Sequence, residues 1–170
     1  VDDETGTDAK AFAAAALAET QSREIALRGQ KIDLGGGAYL EILFPDRDVS
    51  GLETNTASIV LRVVYGDTSF LLNGDSPQAI EEYLVHLDGG HLKSNVLKAG
   101  HHGSDTSSAI SFVGYVSPDW VVFSRGCDNT YGHPHQEVVD LMARFEIPTK
   151  DTCLDGRVGF VSDGKSVLAK

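Results

Sequence analysis

Two β-rich runs that meet at a tight turn constrain the fold of this chain most. The segment ASIVLRVVYGDTSFLLNGD places β-branched and large apolar residues on both sides of Tyr65-Gly66-Asp67-Thr68. Runs of this composition favour strands, and a glycine–aspartate step between them favours a turn. The segment therefore predicts a β-hairpin, which gives the chain a sheet on which helices can pack.

The remaining segments predict helices and strands around this hairpin. Upstream, an Ala- and Glu-rich stretch predicts a helix from Asp8 to about Arg28, and KIDLGGGAYLEILFP predicts a strand pair that turns at residues 35–37. Downstream, the strands SNVLKAG and DWVVFS alternate with three helical segments, and RVGFVSDGKSVLAK predicts a closing hairpin. The helical segments are SPQAIEEYLVHLDGG, residues 108–116 and HPHQEVVDLMARF. We therefore predict a mixed α/β fold, with helices packed on a mixed sheet.

Length and charge limit the class of protein. A chain of 170 residues fits one domain, residues 1–170, in which the acidic stretch 1–8 is a frayed end or an artificial boundary. The apolar runs are too short to span a membrane and no signal peptide is evident, so we expect a soluble, cytoplasmic protein without membrane contact. The net charge of −11 argues against a broad basic face for nucleic acid. This charge is compatible with an enzyme that binds phosphates through a bound metal ion.

The two cysteines, Cys127 and Cys153, do not form a CxxC pair. Two cysteines do not define a disulfide framework. Both lie near strand-like segments, so we expect them to be small, buried apolar residues.

Histidines cluster where predicted strands end. Four of the six histidines lie in the pairs His101-His102 and His133-Pro134-His135, and Asp75 ends a third strand-like run. Side chains at the ends of neighbouring strands can converge above a sheet, and imidazole with carboxylate suits Zn, Mn, Fe or Ni. The alternative is that these are ordinary surface loops. We expect the other two histidines, His86 and His91, to be solvated.

Four segments together resemble a known family. They are SIVLRVVYGDTSFLLNGD, VLKAGHHGSDTSS, YGHPHQEVV and DGRVGF, in that order. In combination they are similar to the C-terminal part of the metallo-β-lactamase-like domain of competence proteins of the ComEC/Rec2 type, over roughly Lys31 to Phe160. The resemblance implies the second half of an αββα sandwich, whose metal ions lie at one edge and activate water for hydrolysis.

The resemblance also implies roles for individual residues. Asp75 matches a metal-binding aspartate, His101 is the next expected ligand, and His133 is the third. His102 borders the same site as a ligand or proton donor. The GHPH segment supplies a histidine that approaches substrate or metal, and His133 and His135 both match it. His135 is a further expected catalytic residue. The hydroxyl groups of Tyr131 and Ser104 could hydrogen-bond a phosphate or an oxyanion.

The sequence departs from the family at its main ligand signature. His-x-His-x-Asp-His, or His-x-Asp-x-Asp-His, belongs upstream of these segments and is absent. The chain is therefore a fragment, a part of a longer protein, or a truncated protein that pairs with a second copy. Half a sandwich exposes a sheet face that must be covered, and a symmetric homodimer would cover it.

Two functions follow from the sequence. The first is a metal-dependent hydrolase of phosphoesters, either phosphodiesters, including nucleic acid, or phosphotriesters, with zinc as the expected ion and manganese or iron as alternatives. The second is a catalytically inactive module of the same type that dimerises or binds a partner. Metal content is the observation that separates them.

Overall fold

The computed structural model describes residues 7–18 and 24–170. The predicted frayed end, residues 1–8, lies outside this part of the chain except for Thr7 and Asp8, which begin the first helix. The elements, in chain order, are α1 (Thr7–Ala18), β1 (Lys31–Gly35), β2 (Ala38–Phe44), β3 (Val60–Tyr65), β4 (Thr68–Leu72), α2 (Gln78–Asp88), β5 (Val96–Lys98), α3 (Ile110–Val116), β6 (Trp120–Phe123), α4 (Gln136–Arg144), β7 (Thr149–Asp151), β8 (Phe160–Ser162) and β9 (Val167–Ala169).

Seven strands form one mixed sheet in the order of the chain, β1 to β7. The first four strands are antiparallel, and β4 to β7 are parallel neighbours. The predicted hairpin is β3–β4, in which Tyr65 pairs with Thr68. The predicted mixed α/β fold with helices on a mixed sheet is confirmed. Strand β7, whose sequence TKD has no apolar pattern, was not predicted.

Three helices bury one face of this sheet. Leu71, Leu97 and Val121 on the central strands pack into one core with Phe112 of α3 and Met142 of α4. All five side chains are fully buried, which is the largest favourable contribution to folding. Within the described ranges no helix has the length and apolar character of a membrane span.

The opposite face of the sheet is only partly covered. Val63, Phe70 and Trp120 lie along one row of cross-strand neighbours and are half-buried. Phe160 of the β8–β9 hairpin packs on this row, with ring centroids 6.4 Å from Phe70 and 6.2 Å from Trp120. One row nearer the carboxyl ends of the parallel strands, Leu72 is 40% exposed.

The first helix ends earlier than the sequence predicts. Residues 24–27 are not helical, although we expected a helix to about Arg28. The backbone N–H of Arg28 donates to the Pro45 carbonyl at 2.6 Å, and its guanidinium donates to the Asp88 carboxylate at 2.9 Å. These tertiary contacts outweigh helix propensity and turn the chain into β1.

The prediction that both cysteines are buried apolar residues is wrong. Cys127 and Cys153 form a disulfide between two loops, with Cα atoms 4.9 Å apart, and they are 26 positions apart in the sequence. The loop after β6 packs against the segment after β7, where the Arg125 N–H donates to the Thr152 hydroxyl at 2.8 Å. That packing brings the cysteines together, and no local sequence pattern shows it.

Replacing Gly100 with alanine tests how closely two strand ends pack. A Cβ at this position would lie 2.6 Å from Asn73 Nδ2 and 2.9 Å from Ser107 Cβ. We expect Gly100→Ala to lower the free energy of unfolding, measured in urea, by about 1–3 kcal/mol. Gly126→Ala is the matched control, because nothing lies within 4 Å of its Cβ. Equal effects of the two changes would contradict the close packing.

Candidate functional site

The carboxyl ends of the parallel strands bring the predicted site residues to one edge of the sheet. Asp75 lies three residues after β4, the pair His101-His102 follows β5, and Ser124 follows β6 directly. In open α/β sheets this edge is where ligands bind. The structure therefore places the sequence-predicted groups in one region.

Asp75 lies beside His102 and a cation. Its Oδ1 is 3.6 Å from His102 Nε2 and 4.0 Å from Lys98 Nζ. The Asp75 N–H donates to the Ser58 hydroxyl at 3.1 Å, and Lys98 donates to the Gly74 carbonyl at 3.1 Å. Burial lowers the pKa of Lys98, and the Asp75 carboxylate opposes that change. The first of these hydrogen bonds holds the turn that carries Asp75 against the segment before β3, and the second holds it against β5.

The imidazole of His102 is oriented by the backbone of the next strand end. Its Nδ1 lies 2.5 Å from the Ser124 carbonyl oxygen. Because a carbonyl oxygen only accepts, this contact places a proton on Nδ1, and in the neutral imidazole the lone pair is then on Nε2. Histidines that bind metals typically use one ring nitrogen this way and present the other to the ion. The lone pair of His102 is thus on the nitrogen that lies nearest Asp75.

The His101-His102 pair has an unusual backbone. Both residues are in the left-handed region, with φ of 47° and 58°. This conformation costs a residue with a side chain about 1–2 kcal/mol. The His101 N–H donates to the Gly74 carbonyl at 3.0 Å, which holds the strained turn in place. Strain of this kind is concentrated at functional sites in proteins. Here the left-handed backbone at both residues makes two adjacent imidazoles point in different directions.

His133 lies at the centre of the imidazole cluster. Its ring centroid is 5.4 Å from that of His101, 4.9 Å from that of His135 and 6.5 Å from that of His102. The side chain of Asn129 holds the backbone of His133 from both sides, at 2.9 and 3.0 Å. Burial lowers the pKa of His133, and the neighbouring imidazoles lower it further. Neither ring nitrogen hydrogen-bonds to another residue in the described part of the chain.

His135 differs from His133 because both of its nitrogens are engaged. Nε2 donates to the Tyr131 carbonyl at 3.2 Å, and Nδ1 lies 2.9 Å from Asp105 Oδ1. The Tyr131 carbonyl raises the pKa of His135, and Asp105 adds to the effect. His135 therefore joins two loops, and His133 is the histidine of the GHPH segment with free ring nitrogens.

The two predicted hydroxyl groups lie in different surroundings. The Tyr131 ring stacks on His133 with an interplanar angle of 20° and is 76% exposed. Ser104 is buried, and its hydroxyl lies 3.0 Å from Thr106 Oγ1 within its own loop. Tyr131 can thus reach a bound molecule, whereas Ser104 shapes the loop.

A buried carboxylate connects the site loops to a helix. Glu81 of α2 accepts hydrogen bonds from Asn73 Nδ2 at 2.6 Å, from the Ser108 N–H at 2.9 Å and from the Ala109 N–H at 2.6 Å. Asn73 precedes the Asp75 turn, and Ser108 ends the loop that begins with the two histidines. Burial raises the pKa of Glu81 to about 7, although the three donors oppose the change.

Sequence reasoning missed three residues at this edge. Lys98 and Arg125 lie at the ends of predicted strands, which is the signal that also identified the histidines. Glu81 gave no signal, because an acidic residue on a helix is usually solvated. Its burial depends on the fold.

The donor set fits a divalent ion only in part. Imidazole nitrogen and carboxylate oxygen suit zinc, which takes four ligands in structural sites and three protein ligands in catalytic ones. Among the described residues, no group of three or more His, Cys, Asp or Glu side chains is arranged to hold one ion. Asp75 and His102 could supply two ligands, and a metal site here would need at least one more.

Comparison with known proteins supports part of the predicted resemblance. The chain has relatives among bacterial competence proteins of the ComEC/Rec2 type. It is 40% identical over 73% of its length to competence protein ComA of Neisseria gonorrhoeae and 34% identical over 62% to ComE operon protein 3 of Bacillus subtilis. It is 33% identical over 75% to recombination protein 2 of Haemophilus influenzae. No protein-family model matches the chain.

The similarity covers a small part of each relative. The matched region spans 18% of the Neisseria protein, 14% of the Bacillus protein and 16% of the Haemophilus protein. The chain thus corresponds to less than a fifth of the length of these relatives.

The buried carboxyl group of Glu81 makes a pH-dependent contribution to stability. Its pKa rises from 4.5 in the unfolded chain to about 7 in the fold, so the folded state retains the proton longer. We expect this contribution to the free energy of unfolding to be present below pH 4.5 and to be lost as the pH rises to about 7, by about 3 kcal/mol.

Chemical denaturation across this pH range measures the effect. Glu81→Gln is the reference variant, because an amide does not titrate. One N–H group of the amide would face a backbone N–H donor, so we expect the variant's free energy of unfolding to be lower than that of the wild type by about 1–3 kcal/mol. The difference in free energy of unfolding between the wild type and Glu81→Gln should shrink as the pH rises. A difference independent of pH would contradict the raised pKa.

Proposed function

We propose that this chain provides one wall of a metal centre that hydrolyses phosphoesters, within a metallo-β-lactamase-like domain. The observation that carries the proposal is the pair Asp75 and His102, with Oδ1 and Nε2 3.6 Å apart at the carboxyl edge of the sheet. Two ligands of a tetrahedral zinc ion, each about 2.1 Å from it, are about 3.4 Å apart. The pair therefore already has the spacing of two ligands of one ion.

The proposed ligand set differs from the one expected from the sequence. His102 replaces His101 as the partner of Asp75, because its Nδ1 is engaged with the Ser124 carbonyl and its Nε2 faces the carboxylate. His133 remains the third candidate, because its ring nitrogens are free of other described residues. The ligands still missing come from outside these residues, in a longer chain or a second copy. Zinc is the first choice of ion, and manganese or iron suits the same donors.

The other residues have separate tasks in this proposal. A divalent ion held here supplies Lewis acidity and a nucleophilic water at neutral pH. Lys98 holds the Asp75 turn through the Gly74 carbonyl. His101 is the imidazole available to move a proton to the leaving oxygen. The exposed Tyr131 hydroxyl donates to a substrate oxygen.

The relatives and the disulfide indicate where this chemistry is used. The names competence protein and recombination protein support including nucleic acid phosphodiesters among the proposed substrates. Disulfides persist in oxidising compartments and are rare in the cytoplasm. The Cys127–Cys153 bond therefore favours a location outside the cytoplasm over the cytoplasmic one expected from the sequence.

Metal binding by matched variants tests the proposal. We expect Asp75→Ala and His102→Ala each to weaken zinc binding, measured by calorimetry, by at least about tenfold, because each removes a ligand. His86→Ala is the control, since His86 is exposed on α2, away from the site. Zinc affinity that both variants leave unchanged, in a protein that contains the longer chain or second copy completing the site, would overturn the proposal.

The second candidate function is an inactive module that binds a partner. It is favoured by the absence of a three-ligand group among the described residues and by the partly covered sheet face. On this alternative, Val63, Phe70 and Leu72 belong to a docking surface, and the homodimer expected from the sequence is its simplest form.

Light scattering at high micromolar concentration tests the homodimer. We expect a dimer that Leu72→Glu dissociates, because the change places a charge on the 40% exposed edge of the apolar face. Ile110→Glu is the control on α3, at a side chain that is 57% exposed. A folded monomer would show that a second copy does not cover this face.

A further inference from the structure

A cavity beside the imidazole cluster contains a group that the metal proposal leaves unused. Its volume is about 380 Å³, within the range of small-molecule sites. It lies between the ends of β6 and β7 and the loop that leads to α4. The lining residues used below are His102, Arg125, Tyr131, His133 and Thr152. The cavity therefore begins at the proposed metal ligands and extends away from them.

Arg125 is the cation of this cavity. Its Nε donates to Asp151 Oδ2 at 2.7 Å, and its side chain is 16% exposed. Its backbone is held on both sides by Thr152, whose hydroxyl accepts from the Arg125 N–H and donates to its carbonyl, both at 2.8 Å. Across the described ranges, neither terminal guanidinium nitrogen has a hydrogen-bond partner. One edge of the guanidinium is thus fixed and its terminal donors are free.

Asp151 orients this guanidinium without exhausting its donors. The carboxylate is buried, and its other oxygen accepts from the Cys153 N–H at 2.8 Å. The disulfide between Cys127 and Cys153 joins the same two loops. A planar guanidinium held in one orientation matches a pair of anionic oxygens, as in phosphate groups, better than a flexible ammonium does.

We infer that Arg125 binds the phosphoryl group of the substrate through its free terminal nitrogens, in the cavity next to His102 and His133. The inference rests on the proposed function and narrows it. A phosphodiester or monoester offers two or more non-bridging oxygens that share negative charge, whereas a phosphotriester or a carboxylic ester offers one neutral oxygen. Arg125 therefore selects phosphodiesters and monoesters over triesters and carboxylic esters.

Titration of the metal-free chain with inorganic phosphate tests this inference separately from catalysis. At about pH 8 free imidazole is neutral, so the arginine is the main cation of the cavity. We expect Arg125→Gln to weaken phosphate binding, followed by NMR of the backbone amides, about tenfold to a hundredfold. Arg125→Lys should also lose much of the phosphate affinity, because lysine keeps the positive charge but lacks the paired N–H donors of a planar guanidinium. Arg157→Ala is the matched control, since Arg157 is exposed and does not line the cavity.

The outcomes separate the inference from the proposed function. Equal phosphate affinity in the wild type and Arg125→Gln, or an equal loss in Arg157→Ala, overturns the inference. Phosphate binding that depends on Arg125, together with a zinc affinity that Asp75→Ala and His102→Ala leave unchanged in a protein with the completed site, supports the inference and overturns the proposed function. In a metal-loaded, active protein, Arg125→Lys should raise KM for a phosphodiester and leave that for a neutral ester unchanged. Thermal unfolding of each variant shows that the fold is retained.

Discussion

The buried carboxylate of Glu81 is the interaction on which the site depends. A carboxylate without a cation partner is costly inside a protein, and it is tolerated here because three donors converge on it. Those donors come from the segment before Asp75 and from the loop that begins with the two histidines. A residue of α2 that touches neither Asp75 nor His102 therefore helps to fix the two segments that carry them. A site built on two loops needs such a common support, because loops alone do not hold side chains to within a fraction of an ångström.

The sequence was sufficient to predict which segments meet. Asp75 and the pair His101-His102 each follow an apolar run, and the carboxyl ends of parallel strands lie at one edge of a sheet. Which imidazole faces the carboxylate was not predictable. Adjacent histidines look equivalent in a sequence, and the choice depends on a left-handed backbone at both positions, with φ of 47° and 58°. That conformation is imposed by the Gly74 carbonyl and by the close approach of Gly100 to Asn73, which are contacts between distant segments.

Three further features could not be predicted, for a shared physical reason. The Cys127–Cys153 disulfide and the Arg125–Asp151 ion pair both require the loop after β6 to lie against the end of β7. Strand β7 is three residues long, and its polar sequence follows no alternation, so its place in the sheet is set by tertiary contacts, among them its pairing with β6. The early end of α1 has the same origin, since Arg28 is held by Asp88, 60 residues away. Local propensity describes none of these contacts.

The net charge of −11 does not determine the electrostatic field at this edge of the sheet. Exposed charges more than about 8–10 Å away are largely screened at physiological ionic strength, so the nearest groups dominate. Those groups include Lys98, 4.0 Å from Asp75, and Arg125, whose carboxylate partner leaves its terminal nitrogens free. An acidic surface without a broad basic face cannot follow a long polyanion. On the proposed function, half-buried Arg125 can still hold one phosphoryl group, so we expect recognition to be local, at a single phosphoryl group, rather than along a nucleic acid backbone.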